Sequence, residues 1–330
     1  MTTSTRPNDD QLGALLRDFG AARCWTQPGQ TVTGVGTSLS DWCWPINYTA
    51  DVPSVQMMPV WPNPDLWDEK PRWNGNNKWP LPIPWHPTFV TGRGSDFGTI
   101  IRQPDGTDIE IQGLSTVEWW HALAINIRMV GAWRTLIGQG PCHPGQWRAD
   151  GIGVLPPGAP TRGSQGPWRK TNGLLTPQML ATDQPWSGPL RLVVANVQHG
   201  PGATAAKDAW VEHPNGRPDN PTWLPRGNDP RCLPSGTHLR LEISDHGIEQ
   251  WLGDTRGPLR ATKLRFAQGL RDHGMRVSET GTGDPIIESV GALRPQDKRA
   301  WADLGVTTDR HGGELGAGLF NHAGIVAVAA

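Results

Sequence analysis

Asp108 and Glu110 alternate with Ile109 and Ile111, so on a strand the two carboxylates share one face and the isoleucines the other. At ~3.4 Å per residue the acids stand about 7 Å apart. That separation fits an inverting glycosidase, whose carboxyls lie ~6.5–9.5 Å apart, better than a retaining one at about 5–5.5 Å. Solvated strands carry such pairs too, so the spacing permits catalysis without requiring it. A second cluster, Glu118-Trp119-Trp120-His121, puts an acid, two indoles and an imidazole within four residues. On a strand Trp119 and His121 share a face and Trp120 takes the other, so at least one indole belongs to a core and His121 is a structural histidine or a ligand. A third set is a row of tryptophans within the stretch from Pro59 to Pro87, which holds eight prolines: Trp61, Trp67, Trp73, Trp79 and Trp85 fall six residues apart. Six is a multiple of both the strand and the polyproline period, so in either extended form the rings share a side. The row reads either as an extended strap pinned to the protein by its tryptophans or as platforms for stacking sugars, since indole offers a flat apolar face and an N–H donor. Gln198-His199 stands at a strand end and carries little by itself.

These residues need elements to hold them. Thr99, Ile101 and Gln103 alternate with Ile100 and Arg102, and Pro104-Asp105-Gly106 then turns the chain. Asp-Gly between two β-type runs is a strong hairpin signal, because Gly takes φ > 0 cheaply. Gly94 to Gln112 is therefore expected to be a two-stranded unit with one polar face open to a ligand. Upstream, Asn8-Asp9-Asp10 precedes Leu12, Leu15, Leu16 and Phe19 at helical spacing, which predicts a short amphipathic N-terminal helix. It either folds onto its own domain or docks a partner subunit. Thr31–Thr33, Trp42–Trp44 and Val52–Val55 look β-like. Ser115-x-x-Glu118 resembles a capping box, but the alternation of Leu123, Ile125, Ile127 and Met129 favours a strand from Ser115 to Val130. Gly138–Gly166 and His199–Pro234 read as long loops. Asn172–Leu180 reads as a turn and a short helix with Thr176 as N-cap and Pro177 first. Leu190–Val197, Thr237–Ile243, Arg276–Ser278 and Ile286–Glu288 are expected strands, Leu259–His273 and Pro295–Leu304 expected helices. The Gly-rich apolar tail suits an arm laid on a neighbour.

Composition narrows the class. The 36% hydrophobic fraction reaches the ordinary globular range once the 41 glycines are counted with it. Eighteen Trp against one Tyr and five Phe, with 32 Pro, point to a loop-rich β protein. A formal net charge of −1 argues against broad electrostatic binding of nucleic acid or acidic membrane. The start, MTTSTRPNDDQL, has no basic region followed by an apolar core, so a secretory signal is not expected. No apolar run of membrane-spanning length occurs. The chain is therefore expected to be soluble and to leave a cell by lysis, in a virion or by a non-standard route. Cys24, Cys43, Cys142 and Cys232 lack C-x-x-C spacing, so no zinc site is expected, and scattered thiols suit them better than two disulfides. No P-loop, dinucleotide glycine fingerprint, H-E-x-x-H or G-x-S-x-G motif appears.

Several landmarks in order carry a resemblance: Trp42–Tyr48 with Val52–Val55, Leu81-Pro82-Ile83-Pro84, Gly94-Ser95-Asp96, the Pro104-Asp105-Gly106 turn leading to Glu110, Asn172–Pro177, Leu233–Leu241 and Ala267–Val277. This series resembles jelly-roll proteins of actinobacteria and of the tails of their phages, similar in architecture to concanavalin-like lectin, glucanase and alginate-lyase sandwiches. It spans roughly residues 40–290. The resemblance implies an antiparallel jelly-roll β-sandwich and a minor tail protein. Two departures bear on chemistry. Such proteins often carry a His where this chain has Ser187-Gly188-Pro189-Leu190. Laminarinase-like enzymes carry acids at three alternate positions where this chain has Gly106, Asp108 and Glu110, and the lyases use a Tyr where the only tyrosine here is Tyr48.

The expected fold is all-β: residues 1–30 an N-terminal helical arm, 31–292 a jelly-roll sandwich with a few short helices and long Trp/Pro-rich loops, 293–330 a C-terminal helix and Gly-rich arm. The expected function is that of a virion structural protein, a minor tail-tip component assembled in the host cytoplasm. Its expected partners are other phage tail proteins, further copies of itself and bacterial cell-envelope glycan, with no cofactor, metal, nucleic acid or membrane insertion. The alternative is a glycan-cleaving enzyme on the same sandwich. No residue is assigned catalysis outright: Asp108, Glu110 and His121 are the candidates, and Trp119, Trp73, Trp79 and Trp85 are the candidate sugar contacts.

Overall fold

The computed structural model describes residues 34–40, 42–62, 81–92, 98–117, 146–149, 151–155, 170–181, 186, 188–194, 197–198, 233–234, 237–280, 285–307 and 313–328. The fold is sheet-rich with few helices, and none of the described helices is long and apolar enough to cross a membrane.

The expected hairpin forms. Strands β5 (Thr99–Arg102) and β6 (Asp108–Gln112) pair antiparallel, with Thr99 opposite Ile111, Ile101 opposite Ile109 and Arg102 opposite Asp108. The turn closes through Gly106 N–H to Gln103 O (3.0 Å), and the Asp105 carboxylate caps Thr107 N–H (2.9 Å). Gly106 sits at φ 82°, which a side chain would disfavour. On the flanks, β2 (Ile46–Tyr48) joins β5 in parallel and β9 (Gly151–Leu155) joins β6 antiparallel, giving a four-stranded sheet β2-β5-β6-β9.

A second four-stranded sheet, β4-β3-β8-β7, is built from β3 (Gln56–Pro62), β4 (Leu81–Trp85), β7 (Ser115–Val117) and β8 (Gln146–Ala149). Period-2 alternation turns Met58, Val60 and Ile83 inward, where they pack with Ile101, Ile109, Ile111, Phe89 and Leu114. The two sheets share this apolar layer, which makes up one half of the described structure. Strands β8 and β9 correct the expectation of an unbroken loop from Gly138 to Gly166: Gln146-Trp147-Arg148-Ala149 and Gly151-Ile152-Gly153-Val154-Leu155 are ladder strands, their β character hidden by the glycines that flank β8 and lie within β9. Trp42–Trp44 and Val52–Val55 lie outside strands, Trp42 at φ 56°.

The other half is different. A six-stranded sheet runs β1-β15-β10-β14-β13-β16, formed by β1 (Gly36–Thr37), β10 (Leu190–Val194), β13 (His238–Glu242), β14 (Met275–Thr280), β15 (Ile286–Ile287) and β16 (Gly324–Ala327). A separate parallel pair joins β11 (Val197–Gln198) to β12 (Leu233–Pro234). Around the six-stranded sheet lie α1 (Pro177–Leu180), α2 (Asp245–Leu252), α3 (Pro258–Asp272), α4 (Pro295–Asp303) and α5 (Gly313–Gly316). Phe266, Ala267 and Leu270 of α3, Ile248 and Trp251 of α2 and Trp301 of α4 share a core with Leu190, Leu192, Leu239, Leu241, Met275 and Val277. The expected N-cap holds, Thr176 Oγ1 accepting from Met179 N–H at 3.3 Å with Pro177 first in the helix.

Parallel pairs β1–β15, β10–β14, β2–β5 and β3–β8 depart from a wholly antiparallel arrangement. The C-terminal stretch joins its own chain: β16 pairs antiparallel with β13, Leu241 opposite Ile325, and Leu315 and Leu319 enter the core. The N-terminal helix and most of the 115–130 stretch lie outside the described residues.

Candidate functional site

The acids of β6 point the way the alternation requires. Ile109 and Ile111 enter the apolar layer between the two four-stranded sheets, and Asp108 and Glu110 take the opposite face with Ile100 and Arg102. That face is not open. It meets the back of the six-stranded sheet, and Asp108 and Glu110 are 0% and 2% exposed. The expectation of a polar face available to a ligand is corrected, because the turn 170–173 and strand β10 cover it.

The cover is itself charged. In β10 the flanking Leu190, Leu192 and Val194 join the helix-covered core, while Arg191 turns to the hairpin side. The β10–β15 ladder continues past Ile287, with Glu288 N–H bonded to Arg191 O at 3.1 Å, so Glu288 lies beside Arg191. The Arg191 Nε donates to the Glu288 carboxylate, and Lys170 Nζ reaches its other oxygen at 3.2 Å. Gly173 fastens the turn, its carbonyl accepting from Arg191 N–H (2.8 Å). At φ +86° a Cβ there would stand 2.6 Å from Pro189 O, so the turn approaches β10 only with glycine.

Each carboxylate is held differently. Asp108 takes a bidentate pair from Arg102, Nε to Oδ1 at 2.7 Å and Nη2 to Oδ2 at 2.8 Å, and Thr171 Oγ1 adds 3.1 Å. That hydrogen bond holds the Arg102 guanidinium protonated to still higher pH than usual, against burial. Glu110 accepts through Oε1 from the Lys170 backbone N–H, and its Oε2 meets no donor among the described residues. Burial pushes Glu110 up to about 7, against the pull of the Lys170 N–H and of the Arg191 and Lys170 charges. Burial would raise Glu288 as well, but Arg191 and Lys170 outweigh it and hold that acid below the usual carboxylate range. Trp44 floors the cluster, with Lys170 Nζ 4.3 Å from its ring centroid. Trp44, Ile46, Ile100, Leu174 and Val290 supply the apolar surround.

Arg102, Lys170 and Arg191 thus face Asp108, Glu110 and Glu288 in a sealed seam between the two halves. A sealed network cannot receive a sugar as it stands, whatever the spacing of its acids. Among the described residues no group of three His, Cys, Asp or Glu is placed to hold a metal. Tyr48 lies at the edge of the seam, opposite Arg102 on the β2–β5 ladder, with Arg294 over its ring at 5.2 Å. Trp85 is half-buried in β4, edge-on to Phe89 with ring centroids 5.7 Å apart. Trp61 and Trp85 belong to two paired strands, β3 and β4, out of phase in the ladder, so a single extended strap does not run through both. His121, Trp119, Trp73, Trp79 and His199 lie outside the described residues. Cys43 is buried, its thiol donating to Ser40 O at 3.4 Å.

Sequence reasoning found two of these six charges as a pair and missed the others. The missed signal is a lone charge inside an apolar strand, Leu190-Arg191-Leu192 and Ile286-Ile287-Glu288, which demands a buried partner. Comparison with protein families, with curated proteins and with solved structures finds no match.

Proposed function

We propose that this chain is a virion structural protein, a minor tail-tip component of an actinobacterial phage, that holds host envelope glycan without cutting it. The observation that carries the choice of holding over cutting is the burial of Asp108 and Glu110 behind Lys170, Thr171 and Arg191. Carboxylates spent on a seam are not free to flank a glycosidic bond. The jelly-roll reading is supported by the two facing four-stranded sheets and their shared apolar layer. The tail reading is supported by the ordered motifs between Trp42 and Val277 and by the tryptophan-rich composition. Other tail proteins and further copies of this chain are the partners this role implies.

Peptide mass spectrometry of purified phage particles tests the tail role: this chain is expected among the particle proteins, and its absence from clean particles defeats the reading. Sedimentation with insoluble host arabinogalactan tests the glycan role, with retention expected and free passage counting against it.

A second reading, a glycan-cleaving enzyme, is favoured by one observation. Glu110 is raised to about 7, the poise of a general acid. Release of reducing ends or unsaturated sugars by the protein, lost in Asp108→Asn with Glu110→Gln, establishes this reading in place of the first.

A further inference from the structure

We propose that the seam between the two halves is a proton-operated latch: Glu110 carries a proton when the halves are closed on each other, and loss of that proton loosens the joint. The inference concerns how the two halves are held and does not depend on what the protein binds.

The geometry carries it. Glu110 belongs to β6, in the half built from two four-stranded sheets, and everything it meets across the seam belongs to the other half. From the turn it meets the Lys170 backbone N–H, and the Lys170 ammonium and Thr171 hydroxyl lie in the same network. From β10 comes Arg191 and from beyond β15 comes Glu288, already bound to Arg191 and Lys170. From its own hairpin come Asp108, two residues along, and Arg102, which grips Asp108 with both donors. Beside the hairpin stands Tyr48 on β2, and β9 on the other flank, Gly151–Leu155, has no ionisable residue. The six charges balance as three of each sign when Glu110 is ionised, but they do not balance locally. Glu288 holds two cations at contact distance and Asp108 holds one twice over. Glu110 receives a single backbone N–H, and its Oε2 is sealed from solvent with no donor among the described residues. A bare carboxylate oxygen in that position costs free energy that a carboxylic O–H avoids.

Burial accordingly raises Glu110 to about 7 in the closed state, against an ordinary value of 4.5. A group raised on closing stabilises the closed state fully below its open-state value and loses that contribution as pH rises through the closed-state value. The joint is therefore tightest in mild acid and loosest in alkali. Linkage between these two values makes the open fraction rise on the order of 30-fold between pH 5.5 and pH 8.5.

The measurement is hydrogen exchange of the seam amides, Thr171 to Gly173 and Ile100 to Ile111, after correction for the intrinsic pH dependence of exchange. In the wild-type protein, opening across pH 5.5 to 8.5 is expected to rise by that factor, and in Glu110→Gln to stay flat. Equal pH dependence in the two proteins overturns the proposal. Should Glu110→Gln not fold, infrared difference spectra of the wild type decide. A protonated carboxyl band present at pH 6 and lost by pH 9 supports the latch, and its absence at pH 6 overturns it.

Discussion

In the half built from two four-stranded sheets, Met58, Val60 and Ile83 pack with Ile101, Ile109 and Ile111, and no described helix shares that layer. In the other half, α3 lies on a mixed sheet and buries Phe266, Ala267 and Leu270, with Trp251 and Trp301 brought in by the neighbouring helices. The first layer is thin and made of mid-sized side chains at alternate positions. The second is broad and uses large rings. The two cores never merge, because the sheet β2-β5-β6-β9 stands between them, apolar on one side and charged on the other. The lesson is that one hairpin can serve two unlike cores when strand alternation assigns each face a separate duty.

The sharpest way to break that division is to remove the carboxylate that anchors the seam. Glu288→Gln leaves Lys170 and Arg191 buried without their anion, and a loss of about 3–5 kcal/mol in denaturant unfolding is expected. Its pH signature runs opposite to that of Glu110. Glu288 is held below its ordinary value, so its contribution is present above about pH 4.5 and lost as pH falls below that. A fall in stability as pH drops through that window, present in the wild type and reduced in Glu288→Gln, checks the sign. Next comes the helix-covered core. Phe266→Ala is expected to cost about 3–5 kcal/mol, because its ring is fully buried and α3 cannot collapse into the gap. In the layer between the two four-stranded sheets Ile111→Val removes one methylene, and about 0.5–1.5 kcal/mol is expected by the same measurement. If Ile111→Val costs as much as Phe266→Ala, the contrast between a thin and a broad core fails. Smallest of all, Met57→Lys alters a side chain 60% exposed on the outer face of β3, and a change within about 0.5 kcal/mol is expected.

What could be read from the sequence follows the same division. Local signals were legible: the Pro104-Asp105-Gly106 turn, the Thr176-Pro177 helix start, the expected helix Leu259–His273 that forms as α3 and the alternation that splits Ile109 from Glu110. One local signal was there and was passed over. Ser244 opens α2, its hydroxyl accepting from Gly247 N–H at 3.1 Å, and Ile248, Trp251 and Leu252 follow at helical spacing. The strands β8 and β9 were hidden by glycine and proline around them. The seam was not legible as a site, because its charges come from β5, β6, a turn, β10 and the end of β15, and only long-range pairing brings them together. Nothing local says that the polar face of a hairpin will be covered by another sheet.

Strand β1 has a consequence for the order of events in folding. Gly36 and Thr37 pair with Ile286 and Ile287, and the Ser38 hydroxyl reaches the Ile287 carbonyl across a separation of 249 residues. The equilibrium penalty for so long a closure is modest, since each doubling of loop length adds only about 0.6 kcal/mol. The kinetic penalty is larger, because non-local pairs must wait until closure has been achieved before they return any stability. On a ribosome, the hairpin of β5 and β6 can form soon after its residues emerge, whereas β1 stays unpaired until nearly the whole chain has been made. Until those residues are made β1 waits without its partner, and β16, which follows them in the chain, must still join β13 before the six-stranded sheet is complete.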